Sequence, residues 1–289
     1  MVMLRKSIIY QGLASVTNGR FEFSFMVPKD IAYNFGTGRI SYYATNYKID
    51  GHGYYDNFLV GGFNENATTD ENGPEIRLFL NDTTFKSGDI TDERPIMLAF
   101  VSDESGINTT GAGIGHDIVA TISGETNLSA IVNDFYRADL DKSTSGTITY
   151  PFAGLNDGKH TLSLKVWDVF NNSSEASIAF VVASSGQMAI DHVMNYPNPF
   201  RDHTHFVFDH NQAGRDMEVE IQIFDINGTH VHTIRETITS DGYRSQPIQW
   251  NGVSDSGYAI SNGLYVYRVL VTNESGEKNE LRSKLIYMH

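Results

Sequence analysis

Hydrophobic side chains recur at every second position along much of the chain, and in a strand that period places them all on one face. Phe21, Phe23, Phe25 and Val27 form the first such row, which Pro28 ends. Leu162, Leu164 and Val166 form another, followed by Ala176, Ile178, Phe180 and Val182. Val219, Ile221 and Ile223, then Tyr265, Tyr267, Val269 and Val271, repeat the pattern near the end. Each row predicts a half-buried antiparallel strand. Only Leu128, Ile131, Val132 and Phe135 fit the i, i+3, i+4, i+7 spacing of a helix, and a strand fits there equally well.

Turn-forming pairs separate the rows: Asn18-Gly19, Asp50-Gly51, Asn72-Gly73, Asp157-Gly158, Asn227-Gly228, Asp241-Gly242, Asn251-Gly252 and Asn262-Gly263. These pairs tolerate positive φ and close tight hairpins. The fold this predicts is all-β, a tandem of antiparallel β-sandwiches. Two breaks divide it. The polar, turn-rich stretch from Glu65 to Pro74 joins an N-terminal β region, residues 1–73, to a middle sandwich, residues 74–184. Ala183-Ser184-Ser185-Gly186-Gln187 then reads as a flexible linker into a final module, residues 185–289.

Composition narrows the function. With 21 Lys and Arg against 35 Asp and Glu, the formal charge is −14, which argues against nucleic acid as a partner. There is no cysteine among the 289 residues, so the chain holds no disulfide, thiolate metal site or cysteine nucleophile. No apolar run approaches the ~18 residues of a membrane helix. After Arg5 and Lys6 only Ser7-Ile8-Ile9-Tyr10 follow, too short for the core of a signal peptide, which needs about 7 to 15 apolar residues. An exported protein with such a start is expected to be a piece of a longer precursor.

Several residues invite chemistry and are weighed against plainer readings. His203 with His205, and His230 with His232, stand at i and i+2, as a zinc site on a strand face would require. No neighbouring carboxylate or Cys pattern completes either pair, so exposed polar strand faces are the better reading. His116 beside Asp117 resembles a base with its orienting carboxylate, yet no nucleophile elbow accompanies it. The run Gly111-Ala112-Gly113-Ile114-Gly115 lacks the following helix of a phosphate cradle. Asp134, Asp139 and Asp141, or Asp70 and Glu71 near Glu75, supply hard oxygen ligands for calcium without EF-hand order, and solvated charge explains them. Trp167 and Trp250 would form a sugar-stacking platform if exposed. Trp167 falls opposite the Leu162, Leu164 and Val166 face, and packing in a core or between domains is favoured. No catalytic residue, metal ligand or cofactor is assigned.

Longer matching stretches carry a resemblance. Val16-Thr17-Asn18-Gly19-Arg20-Phe21, Gly36-Thr37-Gly38-Arg39-Ile40-Ser41-Tyr42-Tyr43-Ala44, Ser102-Asp103-Glu104-Ser105-Gly106-Ile107-Asn108 and Lys165-Val166-Trp167-Asp168-Val169-Phe170-Asn171-Asn172 resemble the region after the catalytic domain in gingipain-like (C25) peptidases of the type IX secretion sortase kind, the PorU type. The last module looks like a type IX sorting domain. It opens at Asn195-Tyr196-Pro197-Asn198-Pro199-Phe200 and ends at Lys284-Leu285-Ile286. Its Ile248-Gln249-Trp250-Asn251-Gly252 and Gly263-Leu264-Tyr265-Val266-Tyr267 are also similar to the immunoglobulin-like (Ig-like) domain of flagellar hook-capping proteins.

The resemblance implies Ig-like sandwiches in an exported protein at the outer-membrane surface of Bacteroidetes. In that family a Cys and His dyad cleaves sorting domains from cargo and joins the cargo to an anionic lipopolysaccharide. Lacking any cysteine, this chain is expected to be the non-catalytic portion, with the protease domain upstream. Its expected partners are the secretion machinery, outer-membrane components and that upstream domain. Tyr196, Pro197, Asn198, Pro199, Phe200, Trp250, Gly252, Gly263, Tyr265 and Lys284 are the residues expected to build or present the sorting surface. A secreted adhesin or carbohydrate-binding module with the same tail is the alternative, and a hook-capping assembly protein fits less of the chain.

Overall fold

Alternating rows become sheets only where another strand meets their backbone. A computed structural model describes residues 8–29, 31, 35–62, 69–110 and 115–288. The Gly111 to Ile114 part of the glycine run, residues 65–68 of the first joint, and Arg5, Lys6 and Ser7 lie outside these.

The N-terminal part holds two small sheets. β1 (Gly36–Thr37) pairs with β4 (Leu59–Val60), and β2 (Ile40–Thr45) forms a hairpin with β3 (Asp50–Tyr55). Asp50-Gly51 is not the turn predicted for it, since both residues lie inside β3. The reversal comes earlier, where Asn46 Oδ1 accepts the Lys48 and Ile49 amides and Tyr47 takes φ +66°. Asn18-Gly19 is a tight turn as expected, with both residues at positive φ between bridged Thr17 and Arg20. The Phe21 to Val27 row is a correction. Phe21, Phe23 and Phe25 stack in a ladder that Tyr10 extends, but residues 21–27 join no strand and Phe21, Phe23 and Val27 are exposed.

The middle unit is a two-sheet sandwich. One sheet has the order β10 (Tyr136–Ala138), β11 (Ser145–Pro151), β7 (Ile96–Ser102), β5 (Glu75–Leu80). The other has β6 (Ile90–Thr91), β13 (Ser173–Val182), β12 (Gly158–Trp167), β8 (Val119–Gly124), β9 (Leu128–Ile131). Leu162, Leu164 and Val166 of β12 and Ile178, Phe180 and Val182 of β13 pack in one buried core with Leu80, Met97, Ala99 and Ile148. The ambiguous segment is both things in turn: strand β9, then a single 3-10 turn at Asn133–Phe135.

The last unit repeats the plan with another core. β14 (Ile190–Tyr196), β15 (Thr204–His210) and β18 (Ile248–Trp250) oppose a sheet ordered β17 (His230–Thr239), β16 (Asp216–Phe224), β19 (Gly263–Asn273), β20 (Lys278–Tyr287). Val219, Ile221 and Ile223 meet Tyr265, Tyr267, Val269 and Val271 from the neighbouring strand and Phe206 and Phe208 from the facing sheet. Neither core takes any of the described residues among 8–62.

The segment 183–187 is not the free linker its composition suggests. Asn211, buried in the last unit, shares its side-chain NH2 among the carbonyls of Ala183 (3.1 Å), Ser184 (3.1 Å) and Gln187 (2.7 Å). Gln212 Nε2 donates to the Ser185 carbonyl at 3.0 Å. From the middle unit, Asp157 accepts the Ser184 amide (2.7 Å) and Glu93 the Ser185 amide (2.9 Å). Small polar residues here are exposed backbone for a hydrogen-bonded cage.

Candidate functional site

Chemistry at the start of the last unit begins with two prolines that keep residues 197 and 199 out of helix and sheet ladder. Released from the ladder, this segment crosses to the far sheet and lies along β20. Asn198 acts there as an extra peptide group. Its Nδ2 donates to the Lys284 carbonyl (3.0 Å) and its Oδ1 accepts the Ile286 amide (2.9 Å). The Phe200 amide then donates to the Ile286 carbonyl, and the Met288 amide to the Phe200 carbonyl, both at 3.0 Å.

Those bonds set Phe200 in place. Its ring, 2% exposed, sits 5.1 Å from Tyr287 and 5.7 Å from Trp250. Trp250 is buried and donates Nε1 to the Val253 carbonyl (3.0 Å). Gly252, at φ +74°, leaves room for this cage, since a Cβ there would lie 3.1 Å from Tyr287 and 3.3 Å from Phe200. Gly252→Ala is expected to lower stability by about 1–2 kcal/mol through the left-handed backbone alone, read as an earlier urea midpoint with an unchanged slope.

The remaining sequence-selected residues divide by role. Gly263 opens β19 opposite Tyr287, and buried Tyr265 donates its hydroxyl to the Ser261 carbonyl (2.7 Å). Pro197 accepts Thr204 Oγ1 at 2.8 Å through its carbonyl. Tyr196 and Lys284 alone among the ten present large exposed side chains. Thr204, Asn195 and Tyr287 belong to this cluster and were not selected from sequence. Tyr287 was findable, since it alternates with inward Leu285.

Elsewhere the geometry revises the sequence candidates. His230 and His232 do have a carboxylate partner, Asp255, distant in sequence. His232 Nδ1 lies 2.6 Å from Asp255 Oδ1 and His230 Nδ1 lies 3.7 Å from Oδ2, while the His232 ring stacks on Trp250. His203 and His205 meet edge to face at 5.3 Å. Trp167 is flanked by Lys165 Nζ, 4.5 Å from its ring centre, and by the His116 ring at 4.4 Å. Trp167 is half-buried, as a packing role requires, and His116 serves as a ring contact.

The acidic groups also regroup. Asp141 binds the Ser15 amide and hydroxyl, and Asp139 the Ser145 hydroxyl. Asp70 meets Asp103 and fully buried Asp168 instead of Glu71 and Glu75, with ligand atoms within 4.8 Å of one another. The Ser105 hydroxyl and Asn72 amide hold the Asp70 carboxyl below its ordinary value, whereas burial and then the Asp168 charge push Asp103 up. Asp168 accepts the Phe170 and Asn172 amides, so this group fastens loops together. Among the described residues, no helix is long and apolar enough to cross a membrane.

Residues 194–286 match the family described as the secretion system C-terminal sorting domain. Dimeric latent PorU from Porphyromonas gingivalis is 35% identical over 98% of this chain, with a TM-score of 0.40. The chain spans 26% of that PorU chain. The fibronectin(III)-like modules of Clostridium thermocellum CbhA are 10% identical over 73% of this chain and 93% of theirs, at a TM-score of 0.27, too slight to add to the argument. No curated protein matches. A type IX sorting signal implies export and association with the cell surface. By the family match, residues 194–286 are a secretion system C-terminal sorting domain, at the end of a chain that is similar to PorU.

Proposed function

We propose that the chain is the non-catalytic portion of a gingipain-like sortase at the outer-membrane surface, acting as scaffold and as the address read by the secretion apparatus. The stitched entry of the last unit carries this reading. Asn198 and Phe200 fasten the Asn195 to Phe200 segment onto β20, which carries exposed Lys284, while Tyr196 in the fastened segment is itself exposed. A folded surface, not a free peptide, is then what the machinery meets. The lack of cysteine supports placing peptide-bond chemistry in another segment of the same precursor.

The N-terminal residues support the scaffold role. The described residues among 8–62 contribute to neither core, and Tyr43, Tyr47, Ile49, Tyr54 and Leu59 are exposed, Tyr47 at 99%. They are fixed to the middle unit at Leu13 against Leu140 and by the Lys29 amide on the Val169 carbonyl (2.9 Å). Apolar surface of this extent is what a preceding protease domain would cover.

The test is export. With a signal peptide added, the chain is expected to reach the surface of a type IX-competent bacterium and to stay periplasmic in a strain lacking the translocon. A charge-and-ring variant, Tyr196→Ser with Lys284→Glu, is expected to fold and to export at least fivefold less. Surface delivery independent of the translocon, or peptidase turnover by the purified chain, would overturn the reading.

A further inference from the structure

One cluster joins the two sandwiches and belongs to neither core. Strand β14 loses its register with β15 between Asp191 and Met194, and in that bulge His192 adopts φ +46°. A bulge re-aims side chains, and this one turns His192 toward the middle unit. Its Nδ1 lies 3.0 Å from Asp209 Oδ2 of β15 and 3.4 Å from Asp89 Oδ1, just before β6. Both carboxylates are buried, Asp89 at 8% exposure and Asp209 at 6%.

Each carboxylate has one oxygen held and the other aimed inward. Asp209 Oδ1 takes Arg244 Nε at 2.8 Å, and Asp89 Oδ2 takes the Lys86 amide at 2.7 Å. The inward oxygens share a single imidazole nitrogen. That nitrogen can carry only one hydrogen, so two carboxylate oxygens converge on a single donor, an arrangement that a cation held between them would satisfy.

We propose that Asp89, His192 and Asp209 form a divalent-metal site of the zinc class that clasps the sorting module to the middle sandwich. All three donor atoms lie within 4.8 Å of one another. Tetrahedral zinc, with bonds of about 2.0–2.2 Å, sets its ligand atoms about 3.3–3.6 Å apart, against 3.0 and 3.4 Å from His192 Nδ1 to the two carboxylate oxygens. An imidazole with two carboxylates selects a first-row transition metal over calcium or magnesium, which take oxygen alone. Arg244 and the Lys86 amide orient the carboxylates from behind, as outer partners of metal ligands do. His192 is half exposed, which leaves the metal a path in and a water for its fourth position.

Zinc titration of the chelator-stripped full chain, followed by calorimetry, tests this. One zinc per chain is expected, weakened at least tenfold in His192→Ala and in the nearly isosteric Asp89→Asn. It should persist when His203, His205, His230 and His232 are all replaced by Ala. Zinc should also slow proteolysis within 183–187 in the unmodified chain and not in Asp89→Asn. Circular dichroism identifies any variant that fails to fold, and Asp89→Asn decides the matter if His192→Ala does. Absence of stoichiometric zinc, or binding undiminished in a folded Asp89→Asn or lost only with the four surface histidines, would overturn the proposal.

Discussion

Phe200→Ala is expected to lower the stability of the last unit by about 3–5 kcal/mol, the usual cost of deleting a buried aromatic ring. The ring fills the space between Trp250 and Tyr287, and Trp250 is anchored by its own hydrogen bond to Val253, so collapse into the cavity is restricted. Truncation there also loosens the entry segment, since the Phe200 backbone carries two of the bonds to β20. Equilibrium urea unfolding followed by tryptophan fluorescence measures it, because Trp250 reports on this unit. A loss under 1 kcal/mol would mean that the ring is not what holds the segment to β20. Phe200→Leu keeps most of the volume and should recover at least half of the loss.

Asn211→Ala is the second large effect. The side chain, with no exposed surface, donates to three carbonyls of 183–187 and accepts the Ala189 amide at 3.0 Å. Alanine leaves several buried polar groups without partners, at about 1–3 kcal/mol for each that water cannot reach. The expected sum is about 2–4 kcal/mol, because the segment can move outward and let water satisfy some of them. The more specific readout is proteolysis. Cleavage within 183–187 should accelerate at least tenfold in Asn211→Ala while both sandwiches survive as fragments. Equal cleavage of variant and parent would show the linker to be free in both.

The strand rows that proved legible are those with a partner close in sequence or a core on one face. β12 and β13 are joined by a short turn and both bury their apolar side, so period two and sheet coincide. Phe21 to Val27 has the same alternation and lacks only a neighbour, which no local pattern can supply. Asp50-Gly51 misled because two turn residues say where positive φ is tolerated, not that it is used. Asn46 supplied the turn by side-chain bonds instead.

The sorting segment was readable as a motif, whereas its action was not. Prolines announce a break in the ladder, but that Asn198 would replace a peptide group beside residues 284 and 286 depends on a contact across 86 positions. Asp255 between two histidines, Asp168 beside Asp70, and Asp89 opposite His192 are likewise meetings of segments distant in sequence. The glycine and serines of 183–187 suggested freedom because composition reports side chains, while the carbonyls of Ala183, Ser184, Ser185 and Gln187 were spoken for by Asn211 and Gln212.

The stitch along β20 has one more effect. β20 is the last strand of its sheet, and a bare outer strand invites pairing with a neighbouring molecule. Asn198 and Phe200 occupy its outward-facing backbone groups at residues 284, 286 and 288. Copies crowded together during passage out of the cell thus meet a hemmed border along this end of the strand instead of a template, and intermolecular sheet growth there is disfavoured.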